Sequence, residues 1–208
     1  MTDVKKRRYS SPLRAEQALA SREAVLRAAH DLFIEQGYGG TTIDQVAERA
    51  GVSKPTVFTA VGNKAMLLKV VRDVAMAGDD QHRTVTARED VAAIAAAGDL
   101  DRAAMLTARH IAVVNARYHD VHEVIRGASG ADPVVAELWE TAEEERHVGA
   151  GHLLTRLSVK PIRPRRAAQD CLWLLMAPDN YDRLVVRQGW SRAAYERWLA
   201  EQIRALFA

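Results

Sequence analysis

Residues 41–64 read TTIDQVAERAGVSKPTVFTAVGNK, and their order of caps, apolar positions and glycines decides the fold. Ile43, Val46, Ala47 and Ala50 recur at i, i+3, i+4 and i+7, the spacing of one helix face. Thr42 with Gln45 three places on is the pattern of a capping box. Gly51-Val52-Ser53 interrupts the helical period. A second short helix is expected from about Lys54 to Val61, with Ser53 as cap and Pro55 in the first turn, where a missing N–H costs little. Gly62-Asn63 stops it, and Asn63 can cap a longer helix carrying Leu67, Val70, Val71 and Val74. Upstream, Ser21 to Gln36 places Val25, Ala29, Leu32 and Phe33 on one face, with Ser21 expected as its cap and Gly37 closing it in the left-handed conformation.

Short helices joined by a tight glycine-containing turn are the sequence form of a helix-turn-helix. Ile43, Val46, Ala47 and Val57 bury one face and fix the angle between the last two helices. The third helix is then free to push its other face into a DNA major groove. Thr41 and Thr42 lie at a helix N-terminus, where hydroxyls and free amides can hold a phosphate. Lys54, Thr56 and Thr59 fall on or beside the outer face of the third helix, and Lys64 can reach a neighbouring phosphate. The same pattern also serves as a plain packing motif in helical bundles, and periodicity alone leaves both readings open.

The segment from 21 to about 71 resembles the TetR family of bacterial repressors. The resemblance rests on Ala28-Ala29, Leu32-Phe33, Gly37-Tyr38 and Thr41-Thr42-Ile43, followed by Val46-Ala47 and Ala50-Gly51-Val52-Ser53. It continues through Pro55-Thr56-Val57, Asn63-Lys64 and Leu67-Leu68. It implies a homodimer on double-stranded, palindromic operator DNA, expected to act as a repressor released by a small-molecule effector, itself expected to be mainly apolar because the bundle interior reads as apolar. It also implies DNA contacts at Thr42, Lys54, Thr56, Val57, Phe58, Thr59 and Lys64. The third helix departs from the family, which usually has Tyr, then Tyr or His, then Phe where this chain has Phe58, Ala60 and Val61. Phe58 lacks a hydroxyl for a phosphate, and Ala60 removes another polar contact.

The 208 residues are 48% hydrophobic and 27% charged, ordinary for a globular chain with a real core. Of the net +2, residues 1–64 carry +3 and the remainder −1, so basic charge is biased toward the N-terminus. Lys5-Lys6-Arg7-Arg8 reads either as an arm contacting DNA through Arg7 and Arg8 or as a solvated tail. The domain reading is a flexible basic arm over 1–20, a DNA-binding domain over 21–66, and a ligand-binding and dimerisation domain over 67–208. The lone Cys171 excludes an internal disulfide framework and suits a reducing cytoplasm. No secretory h-region is visible, and the apolar run Cys171 to Ala177 is too short to span a bilayer. A cytoplasmic protein with no membrane partner is expected.

The fold class expected is all-α, because almost every segment has helical period and none alternates like a strand. Beyond the first domain, helices are expected over Asp101 to about Ala116, His119 to Ala128, Pro133 to about Leu157, Pro164 to Met176 and Ser191 to Phe207. Asp179 is expected to cap a short extra helix, and the stretch from Gly78-Asp79-Asp80 onward is the weakest-patterned. Met105, His110, Tyr118, Trp139 and Met176 are pocket candidates, and such residues also serve as plain core filling. Leu172, Trp173, Tyr195, Trp198, Leu199 and Leu206 are dimer-interface candidates or intramolecular core. His119, His122 and Glu123 lie within one turn, and His147 and His152 flank a Gly-rich step. None has a recognised metal-ligand spacing, so no metal or cofactor is expected. No G-x-S-x-G and no Gly-rich phosphate loop is present, so no enzyme is expected either.

Overall fold

The computed structural model describes residues 12–78, 89–157 and 159–207, and among these every regular element is helical. The order is α1 (Pro12–Gly40), α2 (Ile43–Ala50), α3 (Lys54–Ala60), α4 (Lys64–Ala77), α5 (Glu89–Ala95), α6 (Leu100–Ser129), α7 (Pro133–Arg156), α8 (Arg165–Leu175), α9 (Pro178–Tyr181) and α10 (Arg192–Arg204). A π-helical turn, Asp182–Arg187, follows α9. The chain divides into two compact units, one ending at Val71 and the other beginning at Arg72.

In the first unit, α2 and α3 pack on α1. Val25, Ala29, Leu32 and Phe33 of α1, Val46 of α2 and Val57 of α3 are all buried in this unit. Each large apolar side chain so placed contributes roughly 1.5–3 kcal/mol. Ser21 is not a cap: α1 starts at Pro12, and Ser21 lies inside it. The preceding Ala15, Glu16, Gln17, Ala18, Leu19 and Ala20 are strong helix formers, so nothing stops the helix there. Gly37 does take a positive φ of 72°, which breaks the helix before one last turn to Gly40.

In the second unit, α5, α7 and α10 all pack on α6. Ala103, Ala104, Ala108 and Ala112 give α6 a small-residue face against which Tyr195, Leu199 and Ile203 of α10 are buried. The break expected near Arg117 does not occur. The buried series Ala104, Ala108, Ile111, Asn115, Tyr118, His122 and Ile125 runs unbroken at alternating steps of four and three. Arg117 reinforces the point from the other side, donating to the carbonyls of Ala75 and Met76 at 3.2 Å each and so capping the end of α4. Asp179 does not cap α9, whose first residue is Pro178 and whose cap Ala177 has no side-chain bond.

Candidate nucleic-acid interface and ligand cavity

The turn between α2 and α3 is built from caps. Thr42 Oγ1 accepts from the Gln45 amide at 3.2 Å while Gln45 Oε1 accepts from the Thr42 amide at 2.8 Å, the reciprocal box expected. Gly51 adopts φ 68° and ψ 30°, where a side chain is strained, and its N–H closes on Ala47 and Glu48 carbonyls. Ser53 then caps α3 through the Thr56 amide at 3.3 Å.

This frame sorts the residues of α3 by face. Val57 is wholly buried and locks α3 onto the unit, so it acts from behind. Lys54, Phe58 and Thr59 are exposed and Thr56 is half-buried. The polar groups on this outer side are engaged within the protein: Lys54 Nζ pairs with Asp44 at 3.0 Å. Thr59 Oγ1 donates to the Pro55 carbonyl at 2.9 Å, and the Thr56 and Ser53 hydroxyls share a 2.7 Å bond. The Phe58 ring, 48% exposed, has no such internal use.

One expected phosphate contact, Thr41, is an anchor of the frame instead, and a second, Lys64, is also bonded within the protein. Thr41 is fully buried, its hydroxyl meeting the carbonyls of Leu32 at 3.1 Å and Gly37 at 2.9 Å. Burial leaves that hydroxyl no route to a phosphate, while Thr42 beside it stays exposed. Lys64 Nζ donates to the carbonyls of Tyr38 at 3.0 Å and Thr41 at 3.1 Å and sits 4.3 Å from the centre of the Tyr38 ring. Its charge is held at the α1–α2 junction. Arg7 and Arg8 lie outside the described residues. Sequence reasoning overlooked Arg22, whose Nη1 donates to the Ala60 carbonyl at 2.6 Å and ties the end of α3 to α1. The signal was the absence of any basic residue in the last turn of α3 itself.

The second unit holds a cavity of about 630 Å³, lined in part by Met76, Ile111, Val114, Val148, Leu153 and Met176. His110 and Tyr118 are also in its wall, whereas Met105 and Trp139 are not among the lining residues. Met105 is instead 40% exposed on α6, and the Trp139 ring lies 4.9 Å from that of His122. The cavity wall also carries charged residues, of which Arg72 is the most buried: it is 5% exposed and bonds Asp73 at 3.1 Å and Glu145. Burial works against the Arg72 charge, but the bond to Glu145 and the neighbouring acidic groups hold its pKa above the ordinary value. Burial pushes the Tyr118 hydroxyl up as well, against the pull of Arg72, so it stays a protonated donor at neutral pH.

Among the dimer candidates, Leu172, Tyr195 and Leu199 have no exposure, and Leu206 has 6%. Within one protomer these side chains are core, leaving a partner little to touch. Trp173 and Trp198 are half-buried, the first beneath the Arg146 guanidinium at 4.9 Å, the second stacked on Tyr195. His122, Glu123 and Asp179 bring potential ligand atoms within 4.8 Å of one another. Those atoms are already spent: His122 Nε2 meets Asp179 at 3.0 Å, and Glu123 is paired with Arg126. Among the described residues no helix is long and apolar enough to cross a membrane.

A capped, outward-facing α3 on one unit and an apolar cavity in another define a helix-turn-helix protein with a separate helical unit. Residues 25–71 match the family of bacterial regulatory proteins described as the tetR family. That match is confined to the first of the two units, and beyond it the likeness to known proteins is one of fold. The chain is 46% identical over 46 residues to the uncharacterized HTH-type transcriptional regulator YdeS of Bacillus subtilis (strain 168), a stretch covering 22% of this chain and 23% of that protein. It is 36% identical over 66 residues to the tetracycline repressor protein class A from transposon 1721 of Escherichia coli, covering 32% of this chain and 31% of the repressor. The matched stretches thus span less than a third of these relatives. Over nearly the whole length the fold is similar to that of NalD, the secondary repressor of the MexAB-OprM multidrug efflux pump in Pseudomonas aeruginosa. That match has a TM-score of 0.66 and 19% identity, and covers 91% of this chain and 98% of NalD.

Proposed function

We propose that the chain is a DNA-binding transcriptional regulator that works as a homodimer on a palindromic operator. It represses, and it leaves DNA when a small, mainly apolar effector enters the cavity of the second unit. The observation that carries the reading is the division of α3 into a fully buried back, Val57, and an exposed front of Lys54, Phe58 and Thr59. A helix held only from behind can enter a major groove. Pairing follows from size, since a helix of seven residues spans too few base pairs to specify a site without a symmetric twin. The repressing sign is taken from NalD and the tetracycline repressor, both named repressors. A cavity of about 630 Å³ is of a size that suits a small ligand.

The test is a mobility shift on the DNA upstream of the protein's own gene, run at low and high salt. A shift that weakens steeply with salt is expected. Lys54→Ala should weaken binding evenly across sequences, whereas Thr59→Ala should change base preference. Folded, dimeric protein that shifts neither this DNA nor a random-sequence pool at low salt would instead favour a helical interaction protein.

A further inference from the structure

The cavity pairs an apolar wall with one buried cation whose hydrogen bonding is incomplete. Arg72 is 5% exposed, and its Nε is buried without a hydrogen-bond partner among the described residues. Nε and Nη2 form one edge of a guanidinium, the edge that a carboxylate grips with both oxygens. Here Glu145 takes Nη2 and Nη1 goes to Asp73, with the Tyr118 hydroxyl beside the same guanidinium. Glu145 is thus a one-armed occupant of a two-armed site. It is also easily released, because its side chain is 58% exposed on α7 and returns to water when displaced. Leaving such a donor buried without a partner is costly, and a ligand making both bonds would recover that cost.

We infer that the cavity takes an amphipathic monoanion, an apolar body with one carboxylate that displaces Glu145 and bonds both Nε and Nη2 of Arg72. The apolar body lies along Ile111, Val114, Val148 and Leu153. A cationic ligand is disfavoured, because the buried charge in the wall is itself positive, and of the acidic members Asp73 is paired with Arg72 while Glu144 and Glu145 stay at the exposed side. A neutral ligand can bring one uncharged oxygen to Nε, but it cannot replace the Glu145 carboxylate with a charged two-oxygen grip. Displacing Glu145 also breaks its ion pair with Arg72 inside the second unit. This rests on the reading of the cavity as an effector site, and the experiment separates the two.

Binding is measured by calorimetry and thermal shift with three probes of one chain length: decanoate, decanol and decyltrimethylammonium. Decanoate should bind at least about tenfold more tightly than decanol, and the cation should give no shift. Glu145→Gln, which removes the competing carboxylate, should tighten decanoate by about tenfold and leave decanol unchanged. Arg72→Lys keeps a charge but not the fork, and should erase the preference for the acid. Equal binding of acid and alcohol, a preference for the cation, no binding of any probe, or a Glu145→Gln variant that binds decanoate no better would each overturn the inference. Decanoate that binds as expected without loosening operator DNA would leave the site standing and remove the effector-release reading.

Discussion

The two units differ in the polar contacts that surround their candidate sites. In the first, the helix starts are fixed by side chains three residues away: Thr42 with Gln45, Ser53 with Thr56, and Asn63, which accepts from the Met66 amide at 2.9 Å. In the second, Asp99, Asp132 and Ser191 cap helix starts in the same way, but further polar contacts join distant parts of the chain. Arg72 meets Glu145, His122 meets Asp179, and Arg146 donates to the Trp173 carbonyl at 2.7 Å. The difference suits the proposed tasks. A reading helix must hold one shape whatever binds elsewhere, while a ligand site needs contacts that an incoming group can exchange.

The comparison can be broken most forcefully at the core. Phe33→Ala empties a position only 1% exposed beneath α3 and should cost about 3–5 kcal/mol, read as a lowered urea midpoint. A cost near zero would mean that the caps alone hold the first unit, with little help from packing. Lys64→Met comes next. Removing an ammonium that serves two carbonyls should cost about 1.5–3 kcal/mol and loosen the α1–α2 junction, seen as faster amide exchange there. If stability is unchanged while affinity falls equally on all DNA, Lys64 is a phosphate contact after all. Thr42→Ala removes one half of the capping box and should cost about 1 kcal/mol. Thr42→Ser should restore most of it.

The same contrast explains what the sequence made legible. The capping box at Thr42, the left-handed Gly51 and the Ser53 cap are local signals, and each sits where the spacing put it. Ser21 misled because a capping residue inside a strong helix-forming run carries no information about where the helix begins. The continuity of α6 was hidden because Asn115 and His122 occupy core positions of its stripe, and a pattern search counts them as polar. Asp179 had the look of a cap, yet its carboxylate serves His122 on another helix. The cavity's charged member, Arg72, gave no sequence signal at all, since nothing near it in the chain announces Glu145. Arg22 was missed for the same reason: a bond across 38 residues has no period.

A subtler way to sharpen the comparison is the pH dependence of stability in the second unit. His122 is 2% exposed, with the rings of Tyr118 and Trp139 at 5.6 and 4.9 Å. Burial lowers its pKa below the ordinary 6.5, and the Asp179 carboxylate only partly offsets that. Below pH 6.5 the unfolded chain therefore takes up a proton that the folded chain refuses. The stability linked to His122 is complete above pH 6.5, falls as the pH drops toward the lower folded value, and falls no further beneath it. Urea midpoints taken in steps from pH 8 to pH 5 should decline in that window, and His122→Gln should flatten the decline. If the decline persists in His122→Gln, the proton is taken up elsewhere and the His122–Asp179 contact is not the titrating link.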